Sequence, residues 1–188
     1  ADANLSWETS YTYNVALEFG LFNNRLNGTI EYFNRDSKDL LQSVPISTVT
    51  GFSSTLKNIG EINNHGLEIE LSGDIIRTAD LRWSAGLTGS WIRSTVTKLY
   101  DGKDIVWYDP TGDDARAKFI YREGESTLAL YGLEWAGVED ETGRNVWFLN
   151  NDSQADVTVD GRPATYNYSK ADEVILGDAH PDFFGGFA

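Results

Sequence analysis

The sequence predicts an all-β chain, an antiparallel up-and-down meander of long strands that forms an arc of a transmembrane β-barrel with two long loops. Three observations carry this prediction. Apolar and polar residues alternate with a period of two over stretches of about eleven residues, charges keep to one phase of the alternation, and short connections alternate with long ones.

The first strand spans about residues 11–22. Tyr11, Tyr13, Val15, Leu17, Phe19 and Leu21 hold the odd positions, and Thr12, Asn14, Glu18 and Gly20 lie between them. The second strand spans about 25–35, where the apolar phase moves to Leu26, Ile30 and Tyr32. A two-residue turn at Asn23-Asn24 explains the change of phase. It places Leu21 opposite Leu26, Phe19 opposite Gly28, Leu17 opposite Ile30 and Val15 opposite Tyr32, so that the apolar groups share a face. The third strand, about 65–76, carries Leu67, Ile69, Leu71 and Ile75 against Glu68, Glu70, Ser72 and Asp74. The fourth, about 81–93, carries Leu81, Trp83, Ala85, Leu87 and Trp91 against Arg82, Ser84, Thr88 and Ser90. Both keep the odd phase, which calls for an odd turn of three or five residues around Thr78, with Ile75 facing Leu81 and Leu71 facing Ala85. "FFGGF" begins a further strand near 183–188, and the connections 36–64 and 94–182 are read as long loops.

Strand length bears on what the apolar face meets. Soluble strands are usually about five or six residues long, whereas a tilted strand crossing a bilayer needs about nine to eleven. No charged residue falls on the apolar phase within Tyr11–Leu21, Leu26–Tyr32, Leu67–Ile75 or Leu81–Trp91; Arg77 and Arg93 share it only past these, where Arg can snorkel. A cation on a lipid-facing phase costs about 2–4 kcal/mol at the bilayer midplane. A β-sandwich core would leave the same clean phase, so a soluble, secreted β-sandwich that binds carbohydrate is the alternative. The alternation of short turns with long loops favours the barrel, where turns lie on one side of the membrane and loops on the other. Tyr11, Tyr13, Tyr32, Phe33, Trp83 and Trp91 stand near strand ends, where aromatic girdles form.

The stretches "NLSWETSYTYNVALEFGLFNNRLNGTIEYFNRDSKDLL", "NIGEINNHGLEIEL", "YGLEWAGVEDETG" and "LGDAHPDFFGGF", in this order and spacing, resemble the barrel region of the SusC/RagA family of TonB-dependent outer-membrane transporters. The resemblance covers nearly the whole of residues 1–188. It implies part of a barrel in the outer membrane of a Gram-negative bacterium, in contact with outer-membrane lipid. It further implies cargo import, with oligosaccharide the first class and peptide the second, a SusD-like lipoprotein that closes over the barrel as a lid, and coupling to the TonB complex through other parts of the chain. A siderophore receptor shares this architecture and differs in cargo. The chain reads as an internal piece of a longer protein.

Candidate site residues follow from phase and composition. Glu18, Glu31, Glu68, Glu70, Asp74 and Arg82 lie on the polar phase and are the lumen-facing candidates. The connection 94–182 mixes acids with aromatics; its ligand-contact candidates are Trp107, Tyr108, Trp135, Trp147, Tyr166 and Tyr168, since aromatic faces beside carboxylates suit polyhydroxylated ligands. A small packed cluster built around hairpins such as one turning at Thr142-Gly143 is the plainer use of the same residues.

Charge and composition exclude other classes. The net charge of -14 argues against a nucleic-acid partner. Residues 1–93 hold 11 acids and 7 bases, and residues 94–188 hold 18 and 8, so the excess sits in the second half. There is no Cys, and no apolar run long enough for a membrane helix. His65 and His180 read as turn residues without a nucleophile motif nearby, and Glu68 with Glu70 reads as two groups on one strand face rather than a glycosidase pair. Asp113-Asp114 and "NNDSQADVTVDG" miss the EF-hand spacing. No enzyme activity, cofactor or metal is expected.

Overall fold

The computed structural model describes residues 5–45, 54–107, 118–150 and 155–188. Four long strands open the chain: β1 (Thr9–Leu21), β2 (Leu26–Pro45), β3 (Ser54–Arg77) and β4 (Arg82–Lys98). Eight short ones follow: β5 (Ile105–Trp107), β6 (Lys118–Tyr121), β7 (Ala129–Leu133), β8 (Trp135–Val138), β9 (Asn145–Phe148), β10 (Val157–Val159), β11 (Arg162–Thr165) and β12 (Glu173–Asp178). β13 (Phe184–Phe187) completes the set. The chain divides into two compact units, one of Ala1–Lys103, Arg122–Thr127 and His180–Ala188, the other of Asp104–Tyr121 and Leu128–Ala179.

The first unit holds one antiparallel sheet in the order β1-β2-β3-β4-β13. Its first hairpin has the register expected from the sequence, with Val15 opposite Tyr32, Leu17 opposite Ile30 and Leu21 opposite Leu26. The turn closes through an Arg25 N–H that donates to the Phe22 carbonyl at 3.3 Å. Asn23 and Asn24 have φ of 57° and 60°, the left-handed pair that matches the twist of the flanking strands and that Asn tolerates better than most residues.

The second hairpin departs from expectation. Leu71 faces Leu87, not Ala85, and Leu67 faces Trp91. The turn is neither three nor five residues long: Thr78 to Leu81 form a four-residue connection, closed by a Thr78 N–H that donates to the Leu81 carbonyl at 2.8 Å. The missing odd residue is a β-bulge between Asp74 and Ile76. An even turn plus one bulged residue preserves the parity an odd turn would give. The bulge also exchanges the faces beyond it, so that Ile76 pairs with Trp83 on the apolar side and Arg77 pairs with Arg82 on the polar side. Arg77 therefore leaves the apolar phase altogether.

Both expected loops need correction. Within 36–64, β2 runs on to Pro45 and β3 begins at Ser54, paired across register shifts between Ser37 and Leu41. The alternation fails here because both faces carry polar residues, such as Asp36, Ser37, Lys38, Asn58 and Asn63, while backbone pairing continues. Within 94–182, β4 extends to Lys98, and the second unit is folded into two four-stranded sheets, β12-β7-β6-β5 and β10-β11-β9-β8. Ile120, Ala129, Val146, Leu149 and Ala164 are its buried apolar residues. The hairpin β8–β9 turns where expected, with Gly143 at φ 69° and its N–H donating to the Glu139 carbonyl at 2.9 Å. Chain positions 184–187 pair with β4 from Ser90 to Leu87.

Candidate functional site

The long sheet presents two unlike faces. On the apolar face Val15 and Leu17 are 69% and 62% exposed, and Leu67, Leu87 and Trp91 are exposed as well. Among the described residues of this unit no second layer covers this face, so the core that the β-sandwich alternative requires is absent from it. Its rings and glycines interlock across strands. Phe19 lies over Gly28, and Phe183 lies over Gly89 with its ring 4.8 Å from that of Trp91.

The limit of this face is stepped. On β1 the apolar phase continues to Tyr11, whereas on β2, β3 and β4 it ends at Tyr32, Leu67 and Trp91, all in the row of Val15. At the turn end β1 and β2 stop at Leu21 and Leu26, while β3 and β4 carry it on through Ile76 and Trp83. Strands about 4.8 Å apart and tilted by about 40° to a membrane slip by roughly one residue per strand against its plane. The step is taken in single jumps, four residues between β1 and β2 at one end and two, counted on β4, between β2 and β3 at the other, a total comparable with what such a tilt accumulates over three spacings. Above it, on the same phase, stands a polar network that sequence reading passed over. Asn63 Nδ2 donates to Asn34 Oδ1 at 2.8 Å and Asp36 Oδ1 at 2.7 Å, and His65 Nδ1 meets Asn63 Oδ1 at 2.7 Å. His65 is thus a mid-strand residue, not a turn residue, opposite Asn34 and Arg93. The signal that would have found it is the abrupt change from Tyr32, Leu67 and Trp91 to Asn34, His65 and Arg93 two positions along each strand.

The polar face gathers the six charged candidates. Glu18, Thr29, Glu70 and Thr88 form one row, and Ala16, Glu31, Glu68 and Ser90 the next. Glu31 directly faces Glu68, an arrangement that like charges tolerate only in a wet or counter-charged setting. Asn14 Nδ2 donates to Glu31 Oε1 at 2.9 Å. Glu18, Asn24, Asn27, Thr29, Glu70 and Ser72 line a shallow concavity at the turn end. Asp74 and Arg82 lie beyond it, joined by an Arg82 Nε to Asp74 Oδ1 bond of 3.0 Å. Among the described residues there is no group of three or more acids and histidines arranged to hold a metal, and no helix long and apolar enough to cross a membrane.

The loop aromatics divide. Trp135 and Trp147 are register partners, Trp135 Nε1 donates to Asn145 Oδ1 at 3.3 Å, and Tyr168 meets Trp147 edge-on with centroids 6.1 Å apart. Trp135 and Tyr168 are exposed, so Trp135 and Trp147 on the sheet and Tyr168 from the 3-10 turn Tyr168–Lys170 form an open aromatic platform. Tyr166 is separate: its hydroxyl donates to Glu139, and the Arg144 guanidinium sits 4.1 Å from its ring centroid. It holds the hairpin together. Trp107 lies in β5, but its side chain is outside the described set, and Tyr108 lies outside the described residues.

Three carboxylates of this unit are held below their ordinary values. The Arg162 guanidinium grips Glu134 through bonds of 2.7 and 2.6 Å, the Thr142 and then the Tyr166 hydroxyl donate to Glu139, and the Thr165 hydroxyl donates to Asp156 at 2.5 Å. Groups with depressed folded values stabilise the fold fully above their unfolded values, about 4.5 for Glu and 3.8 for Asp, and lose that contribution as pH falls through the folded ones. The expected result is a thermal midpoint for the β8–β11 sheet that is flat from pH 7 to 5 and declines below about pH 4, read by Trp fluorescence. An Arg162→Gln variant should show a shallower decline; an equal or steeper one would contradict the role given to Glu134.

A long-stranded sheet with one charge-free exposed face, a stepped limit to that face, and acids gathered on the other defines a wall segment of a membrane β-barrel. The chain belongs to the family described as TonB dependent receptor-like, beta-barrel, whose model matches residues 1–175. It is 34% identical over 196 residues to TonB-dependent receptor P3 of Formosa agariphila, covering 100% of this chain and 19% of that protein. It is 31% identical over 184 residues to TonB-dependent receptor SusC of Bacteroides thetaiotaomicron, covering 93% of this chain and 18% of the relative. Among solved structures it is similar to that of the RagAB peptide transporter, at 28% identity and a TM-score of 0.76 over 97% of this chain and 19% of that one. The chain therefore spans 18–19% of the length of these relatives.

Proposed function

We propose that residues 1–188 form part of the wall and outer vestibule of a Gram-negative outer-membrane transporter that imports nutrients with energy transmitted by TonB. The observation that carries this is the exposed apolar face with its stepped limit, which suits hydrocarbon and which no layer of the described residues of this unit covers. In this reading Glu18, Glu31, Glu68, Glu70, Asp74 and Arg82 face the aqueous lumen, where Glu31 and Glu68 keep their hydration although they stand opposite each other. The second unit lies on the outer side and meets cargo and a SusD-like lipoprotein lid.

Oligosaccharide is the cargo class the platform favours. Trp135, Trp147 and Tyr168 offer flat faces for stacking beside the Asn145 amide, an arrangement that holds sugar rings without a charge requirement. Peptide is the second class, supported by the likeness to the RagAB peptide transporter. The test is growth of a deletion strain, complemented with the intact protein, on single oligosaccharides, peptides or chelated iron. Growth lost on oligosaccharides alone supports the reading; loss confined to chelated iron assigns a siderophore receptor instead. Trp135→Ala with Tyr168→Ala should weaken oligosaccharide binding by at least about fivefold, since each stacked ring contributes about 0.5–1.5 kcal/mol. Unchanged binding moves the cargo contact elsewhere.

A further inference from the structure

At the turn end of β3 and β4, Arg77 and Arg82 stand directly opposite each other in register and point to the same side of the sheet. Two like charges in that position repel, and their side chains are about 5 Å apart at the Cβ atoms in such pairs. Without the bulge at Ile75, Arg77 would fall on the other face and this repulsion would not arise. The irregularity is what brings the two guanidinium groups together.

One carboxylate serves both. Asp74, whose side chain is only 7% exposed, accepts from Arg82 Nε at 3.0 Å and lies 3.6 Å from an Arg77 terminal nitrogen. Its Oδ1 also accepts the Ser84 hydroxyl at 2.8 Å. Asp74 Oδ1 is thereby engaged twice and Oδ2 faces Arg77, while the arginine side chains stay 55% and 68% exposed. Arg82 is gripped through Nε, so its two terminal nitrogens, and one of those of Arg77, point to no partner among the described residues. Asp80, at the tip of the turn, pairs with neither arginine. The cluster carries two positive charges against one negative, in a chain whose formal charge is -14.

We infer that Arg77 and Arg82, fixed from beneath by Asp74, form a seat for a phosphate group. Planar guanidinium forks with free terminal N–H donors match tetrahedral oxyanions in bidentate fashion, and a buried carboxylate that orients both forks removes part of the entropy such a clasp would otherwise lose. Both arginines stand on the polar side of the sheet, so the phosphate is that of a soluble anion in the water this face meets. The inference stands apart from the choice of cargo and from the transport reading.

The test uses the intact protein in detergent. Inorganic phosphate is titrated by calorimetry, and retention of phosphatidylglycerol against a phosphate-free galactolipid is read by native mass spectrometry after extraction from vesicles of each. Phosphate binding without lipid preference supports the seat; retention of phosphatidylglycerol without binding of inorganic phosphate sets these arginines against lipid and overturns it. Arg77→Gln should weaken phosphate binding about fivefold or more. Arg82→Lys, which keeps the charge and the ion pair with Asp74 and so preserves folding, should weaken it by a similar factor through loss of the fork. Absence of phosphate binding, or an affinity unchanged in both variants, would overturn the proposal.

Discussion

Leu17→Arg is expected to lower the folding free energy of the intact protein in lipid vesicles by about 2–4 kcal/mol, the cost of a cation on the hydrocarbon-facing side near the midplane. Leu17 stands in the row of Ile30, Ile69 and Gly89, midway along the uncharged phase of the sheet. Its chain neighbour Glu18 points to the other face, in the row of Thr29, Glu70 and Thr88. Glu18→Arg introduces the same cation one residue away and should change stability by less than about 1 kcal/mol, because a wet face solvates it. Equilibrium denaturant titrations of both variants in the same vesicles give the comparison. Equal costs at the two positions would mean that both faces of the sheet meet the same medium, and the wall reading would fail.

Gly66→Ala is expected to destabilise the sheet by about 1–3 kcal/mol, the usual penalty for inserting a methyl group into a filled space. A Cβ at this position would lie 2.7 Å from the Trp91 carbonyl oxygen and 2.8 Å from Phe33 Cε1. The ring can swing away; the carbonyl belongs to the paired strand and cannot move without opening the β3–β4 ladder. Gly86→Ala supplies the contrast, since its Cβ would meet nothing closer than the Leu71 carbonyl at 3.8 Å. That variant should be neutral or slightly stabilising through the unfolded state. Thermal denaturation of the two in one detergent should separate them by several degrees, and coincident curves would remove the steric reason for glycine beneath Phe33.

Much of the long sheet was legible because alternation and turn chemistry reinforce each other. Asn23-Asn24 fixed a two-residue turn, and with it every pairing from Leu21–Leu26 to Val15–Tyr32. The second hairpin kept its parity but not its register, because a bulged residue plus an even turn is indistinguishable in phase from an odd turn. The continuation of β2 and β3 past Arg35 and His65 escaped notice for a different reason: two-sided polar strands carry no alternating signal. In the second unit, strands of three to six residues are too short to show a period, so two sheets read as one loop. The charged candidates share a face because phase alone decides that. Which aromatics stay open depends on partners distant in sequence, and Tyr166 is engaged by Glu139 and Arg144 in a way no spacing announced.

The two ends of the excursion at residues 128–179 are fastened to each other. The Ala179 N–H donates to the Leu128 carbonyl at 3.0 Å, and just outside them Thr127 Oγ1 meets His180 Nε2 at 3.3 Å. On either side of this clasp the chain is laddered to one strand: Val96 N–H donates to the Glu125 carbonyl at 2.9 Å, and Phe184–Phe187 pair with Ser90–Leu87. Closing such a segment costs little more when it is long than when it is short. Lengthening or shortening the excursion between β7 and β12 is thus cheap as long as these two strands persist, because they complete a sheet whose other half, β5 and β6, comes from outside the fastenings.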